Sequence, residues 1–204
     1  MKKYLLLVLL FPSIAGFSQN IDINVLRDIN LNRNRQLDGV FKGITNSAVP
    51  ISIGTPIILY GISLLDKDSV NRQKAIFIGV SVISATAIAT ILKYAVNRPR
   101  AFVTYPYIEK LSDGGSPSFP SGHTSDAFAL ATSVSMAYPK WYIIVPSFAW
   151  AGAVGYSRMD LGVHYPSDVL AGAILGAGSS FLCHKIQLIL NKKKRIKHVN
   201  SMFL

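Results

Sequence analysis

Five stretches of the chain are almost free of charge, each bounded by a short polar break: residues 44–65, 75–92, 127–138, 141–156 and 169–190. The first carries Pro50 and Pro56, expected to kink a helix, and the last carries His184 and Lys185 near its far end. A membrane-crossing helix needs about 20 apolar residues. Some of these stretches are shorter, although the one at 127–138 is extended by the Ser/Thr-rich turn ahead of it. Any one alone suits a buried helix of a water-soluble protein. Five in succession predict an all-α, polytopic transmembrane bundle of about five spans. Ahead of them, residues 21–42 are polar, with Ile21, Val25, Ile29, Leu37, Val40 and Phe41 at partly helical spacing. That pattern suits a short interfacial helix.

The first residues read "MKKYLLLVLLFPSIAGFSQN". Lys2 and Lys3 precede a short apolar core, and Gly16-Phe17-Ser18 offers small residues where a signal peptidase cuts. A cleaved signal peptide over 1–18 is expected. The alternative is an uncleaved first membrane helix, for which the apolar core is short. The expected organisation is then a signal peptide (1–18), a membrane domain (19–190) and a basic tail (191–204).

Composition strengthens the membrane reading. Half of the residues are hydrophobic and only 15% are charged, against about 25% in soluble domains. The net charge of +11 is concentrated in places, notably "NKKKRIKH" at 191–198. A basic cluster directly after an apolar helix marks a cytoplasmic helix end or a contact with anionic lipid, in preference to nucleic acid. Cys183 is the single cysteine, so no intrachain disulfide forms.

Charge also orients the bundle. With residues 19–43 outside, the loop 66–74, holding Lys67, Arg72 and Lys74, and the basic tail both fall in the cytoplasm, as the positive-inside rule requires. Residues 93–126 and 157–168 then lie outside. The external stretch 93–110 is basic as well, which breaks the rule locally. Cations kept on the wrong side need another reason to be there.

Those two external loops hold the unusual polar residues. The first opens with "KYAVNRPRAF" (93–102), with Lys93, Arg98 and Arg100, and closes with "SFPSGHTSDAF" (118–128). The second is "GYSRMDLGVHYPSD" (155–168), with Arg158, His164 and Asp168. Ionisable groups at membrane depth are costly and point to function. Several fixed cations suit a phosphate or another dense anion. Two histidines allow a nucleophile or base and an acid, and Asp168, four residues after His164, can hold one imidazole nitrogen as N–H. Ser121, Gly122 and His123 sit where a helix begins, so their free N–H groups make an anion site. Two histidines and an aspartate also suit zinc, but the cations would repel a divalent ion and no H-E-x-x-H or cysteine pair appears.

Three blocks in this order resemble the signature of the type 2 phosphatidic acid phosphatase (PAP2) superfamily, which also includes bacterial acid phosphatases and vanadium haloperoxidases. The signature is K-x6-R-P, then P-S-G-H, then S-R-x5-H-x3-D. Here the blocks are Lys93 to Arg100, Pro120 to His123, and Ser157-Arg158 with His164 and Asp168. The second and third match fully. In the first, Ala101 replaces the proline, and Pro99 precedes Arg100 instead. Lys93 and Arg100, about two helical turns apart, are expected to share a helix face, with Arg98 pointing elsewhere and Pro99 fraying the helix. Arg98, Lys110 and Asp160 match no family position, so no site role is expected of them.

The resemblance covers about residues 40–190 and implies a PAP2/haloperoxidase-like helical core. It implies that His164 attacks phosphorus and forms a phosphohistidine, that Asp168 orients His164, and that His123 protonates the leaving oxygen. It also implies that Lys93, Arg100, Ser121, Gly122 and Arg158 hold the phosphate oxygens, with no metal and no cofactor. The expected substrate is a lipid phosphate or diphosphate: phosphatidate, phosphatidylglycerophosphate, undecaprenyl diphosphate and lipid A phosphates all remain open. The expected location is an inner membrane, with the site facing the periplasm or exterior. A lipid phosphotransferase is the alternative enzyme, and a non-enzymatic lipid or anion transporter the alternative of another class.

Overall fold

The structure, a computed structural model, describes residues 21–201, with side chains described as far as Leu190. The expected signal peptide and the side chains of the basic tail lie outside these residues. Helix α1 covers residues 21–31. After a 3-10 turn at Arg35–Leu37 come α2 (Asp38–Leu65), α3 (Ser69–Val96), the single turn α4 (Ala101–Thr104), α5 (Gly122–Ala137), α6 (Trp141–Asp160) and α7 (Pro166–Ser201). Among the described residues there is no strand. Each predicted apolar stretch lies in its own helix, α2, α3, α5, α6 and α7 in turn. Among the described residues, three segments are long and apolar enough to cross a membrane: Arg35–Leu65, Ser69–Thr104 and Pro166–Leu190.

Local chemistry sets the ends. The Asp68 carboxylate accepts the N–H groups of Val70 and Asn71, capping α3. At the other end Asn97 adopts φ 48° and ψ 41°, the left-handed stop that asparagine tolerates, and Pro99 cannot resume the helix. Pro166 opens α7, where its missing N–H costs nothing. Helix α2 runs unbroken through both of its prolines.

Helix α5 is the centre. It packs against α2, α3, α6 and α7, and Ala127, Ala129, Ala131, Ser125 and Ser133 are fully buried. The seam with α7 is close because α7 presents glycine. A Cβ on Gly176 would run into the Ser125 carbonyl, and one on Gly172 would lie 2.6 Å from the Ser121 carbonyl oxygen. Ser180 adds a hydrogen bond of 2.9 Å to the Ala129 carbonyl. Small residues and hydroxyls of this kind replace the hydrophobic effect between helices in lipid. A cluster of Phe77, Ile78, Val82, Ala85, Ala129 and Leu130 fills the space between α3 and α5. Outward, Ile57, Ile83, Ile91 and Ile174 are exposed, as lipid-facing positions are.

Helix α1 takes up the first part of the stretch expected to form an interfacial helix, and it docks on the protein through a second face. Its docked face is Asp22, Ile23, Leu26 and Asn30, all buried, whereas Ile21 and Val25 stay exposed. Ile23 and Leu26 pack with Ala101, Ile108 and Tyr165. Asn30 donates to the carbonyls of Glu109 and Asp160 and accepts the Glu109 N–H at 2.9 Å. Gly162, at φ 70°, lets the Glu109 carbonyl approach; any Cβ there would collide with it. Two polar and two apolar side chains therefore share the docked face, which is not the one marked by Ile21, Val25 and Ile29.

Candidate active site

The site forms where three breaks meet: the end of α3, the start of α5, and the turn between α6 and α7. The turn 161–165 carries His164, which is almost wholly buried. Its backbone N–H donates to the Arg158 carbonyl at 3.2 Å. Its Nδ1 lies 3.4 Å from Asp168 Oδ2, four residues on, in the first turn of α7. Asp168 is fully enclosed. Its Oδ2 accepts the Tyr165 N–H at 3.0 Å and the Ser118 hydroxyl, and its Oδ1 accepts from Arg98 Nη1 at 2.7 Å. Asp168 thus caps its helix and orients His164 at once. With Nδ1 facing a carboxylate, the Nε2 lone pair points away from it.

Nε2 meets Arg100, whose Nη1 is 3.4 Å away. Arg100 is buried and donates to the carbonyls of Val163 at 2.7 Å and Ser116 at 2.8 Å. A Cβ on Gly114 would lie 2.8 Å from its Nη1, so glycine makes room for the guanidinium. Lys93 Nζ donates to the Pro117 carbonyl at 2.8 Å. Its Cε would lie 3.7 Å from a Cβ on Gly122, which puts the amine at the mouth of α5. Arg158, in the last turn of α6, donates to Thr45 Oγ1 at 2.7 Å, Ser112 Oγ at 3.2 Å and the Asp113 carbonyl at 3.1 Å.

Ser121 is the N-cap of α5 and fully buried. Its N–H donates to the Asp168 carbonyl at 3.0 Å, and its hydroxyl pairs with Thr124 Oγ1 at 2.8 Å without capping the helix. The first N–H groups of α5 have no intrahelical partner. Gly122 and His123 sit there, ahead of the apolar stretch. Burial, joined by Arg158, Lys93 and Arg100, pushes the His123 imidazole down to about 4. Burial pushes His164 down to about 3, with Asp168 opposing and Arg100 and Arg158 adding. Both imidazoles are therefore neutral near pH 7 in the free protein. All eight residues predicted from sequence meet at one end of the bundle.

Two expectations fail. Lys93 and Arg100 do not share a helix face, because α3 stops at Val96 and Arg100 is the N-cap of α4. The chain turns at Asn97 and brings Arg100 in from a loop. Nor does Arg98 point away. It holds Asp168 and also pairs with Asp22 on α1 at 2.7 Å. Ser118, Thr45 and Asp22 were missed as well. They pair across long stretches of sequence, and no local signal marks them. Among the described residues no three His, Cys, Asp or Glu side chains converge as metal ligands.

Two buried arginines, a half-buried lysine, a helix N-terminus and two histidines at the end of an apolar bundle define a class: a membrane protein suited to bring a multiply charged oxyanion into contact with a histidine. The chain belongs to the PAP2 superfamily, whose family model matches residues 74–192. The undecaprenyl-diphosphatase of Sulfolobus acidocaldarius is 31% identical, over 92% of this chain and 93% of that protein. The crystal structure of Aquifex aeolicus LpxE superposes with a TM-score of 0.72 at 27% identity, over 81% of this chain and 95% of that one. The transmembrane PAP2-type phosphatidylglycerolphosphate phosphatase of Bacillus subtilis superposes with a TM-score of 0.67 at 26% identity, over 92% and 96%. The chain is accordingly an integral membrane phosphatase of this family.

Proposed function

We propose that the chain hydrolyses a lipid phosphate or diphosphate through a phosphohistidine on His164. The observation that carries this is the buried line Asp168–His164–Arg100. It fixes Nδ1 as the donor to Asp168 and leaves Nε2 free beside a guanidinium. In the first step Nε2 attacks phosphorus and the bond to the lipid oxygen breaks. His123 delivers a proton to that oxygen. In the second step water attacks phosphorus, His123 takes its proton, the N–P bond breaks and phosphate leaves. Lys93, Arg100, Arg158, Ser121 and the Gly122 N–H hold the phosphate oxygens, supplying charge neutralisation and alignment.

The names of relatives support an isoprenyl diphosphate, a lipid A phosphate or a glycerophospholipid phosphate as substrate. The charge pattern supports an inner-membrane location, with the site on the periplasmic or external face and the tail in the cytoplasm. Phosphate release from a panel of lipid phosphates, with and without chelator, tests the chemistry in the wild type and in His164→Ala. Full activity in the variant, or abolition by chelator, rules the mechanism out. Phosphate appearing on an added alcohol instead of in solution makes the enzyme a transferase. A reporter fused after Leu204 that reads as periplasmic reverses the orientation.

A further inference from the structure

The family match begins at residue 74, yet a residue far ahead of it reaches the site. Asp22 on α1 is buried. Its Oδ1 accepts the Ser167 N–H at 2.8 Å, and its Oδ2 accepts the Ser167 hydroxyl at 2.5 Å and Arg98 Nη2 at 2.7 Å. It therefore caps α7 from another helix, one residue before Asp168. Through Arg98 it also grips the other side of the same turn. Arg98 Nη1 binds Asp168 Oδ1 at 2.7 Å and the Ser167 hydroxyl at 2.7 Å, while its guanidinium stacks 3.8 Å over the Tyr165 ring.

The relay has two consequences. Arg98 is shared between two carboxylates, so its charge does not fall on Asp168 alone, and Asp168 keeps its strength as acceptor for the His164 N–H. The fork is also held at both ends, one nitrogen on each acid, which fixes the Asp168 carboxylate plane. Remove Asp22, and Arg98 is free to swing while α7 loses its N-terminal acceptor.

We propose that Asp22 is a positioning residue, acting through Arg98 to hold Asp168 against His164, so that α1 belongs to the catalytic apparatus. This rests on the phosphatase reading above. The test is steady-state turnover of a lipid phosphate by the full chain, expressed per folded molecule. Asp22→Asn is expected to lower kcat by about tenfold, the scale at which partners orienting a functional histidine act, with KM within about twofold. Asp22→Glu, which keeps the charge, is expected to fall between Asn and wild type. Arg98→Gln is expected to lower kcat at least as far, and adding Asp22→Asn to it is expected to lower kcat no further, because both act on kcat through one link, while the weakened α7 cap shows in melting temperature instead.

Unchanged kcat in Asp22→Asn, multiplying losses in the double variant, or failure of both Asp22 variants to fold each overturns the proposal. The last result would make α1 a folding element only. An inactive wild type would instead overturn the phosphatase reading, which keeps the two failures apart.

Discussion

The two halves of the site are held in place by different means. The α5–α7 seam is backbone against backbone: Gly172 and Gly176 bring α7 onto the carbonyls of Ser121 and Ser125, and Ser121 N–H binds the Asp168 carbonyl. That seam sets the register of Ser121, His123 and Asp168 with no long side chain involved. The 97–121 loop is held by side chains instead: its outer part docks on α1 through Ala101, Ile108 and Glu109, and its return toward α5 is held by the site's own cations, Lys93 on Pro117, Arg100 on Ser116 and Arg158 on Asp113. The half proposed to carry the nucleophile is thus built by helix geometry, and the half proposed to hold the anion by its own cations. In the free protein those cations bind carbonyls, so on the proposed reading phosphate would enter by competing for donors that are already aimed.

The largest effect is expected at His164. His164→Asn is expected to lower turnover by about 10,000-fold or more while leaving thermal stability in detergent near wild type, since it removes the proposed nucleophile alone. Gly176→Val strikes the seam, and a side chain there has only the Ser125 carbonyl to enter. A loss of about 3 kcal/mol or more is expected, read as a large fall in melting temperature with activity lost in step. Arg100→Lys keeps the charge but loses the fork that holds Val163, Ser116 and His164 together. A fall in kcat/KM of about 10–100-fold is expected, with little change in melting temperature, and equal loss of both would erase the contrast between the halves.

The pH profile sharpens it further. With His164 at about 3 and His123 at about 4, both are neutral in the free enzyme near pH 7. The proton that His123 delivers must then arrive with the substrate, whose second phosphate ionisation lies near 6. Hence kcat/KM is expected to fall by about tenfold per pH unit above about 6–7. The limb for kcat should lie higher, because a bound dianion offsets the push of Arg158, Lys93 and Arg100 on His123. Coincident limbs would contradict this. The smallest effect separates two neighbours. Gly114→Ala, against the Arg100 guanidinium, should raise KM several-fold, whereas Gly115→Ala, with nothing within 4 Å of the new methyl, should change nothing.

The catalytic half was legible because its parts are local. Pro120 to His123 announces a helix start, and His164 and Asp168 lie one turn apart across Pro166. The loop half was legible in residue type but not in geometry. A helix continued from Lys93 to Arg100 ignores that Asn97 tolerates φ 48°, so the shared face was wrong even though both cations arrive. Asp22 and Arg98 were invisible because their partners are distant in sequence. On α1, Asp22 and Asn30 are buried beside Ile23 and Leu26, and apolar periodicity counts such polar residues as surface. The five apolar stretches were plain, but only the structure puts the most alanine- and serine-rich of them, α5, at the centre.

Helix α5 has 16 residues, a length of about 24 Å. At its far end Trp141 and Tyr142 stand exposed beside Lys140, the kind of side chains that settle at a membrane interface. Anchored there, the mouth of α5 reaches several ångströms short of the opposite edge of a hydrocarbon layer about 30 Å thick. If α5 spans as proposed, the phosphate must sink toward that mouth, or the bilayer must thin to meet it. A lipid substrate then need not be lifted out of its leaflet, and bilayer thickness becomes a variable of the reaction, setting how far each headgroup is drawn down before the chemistry begins.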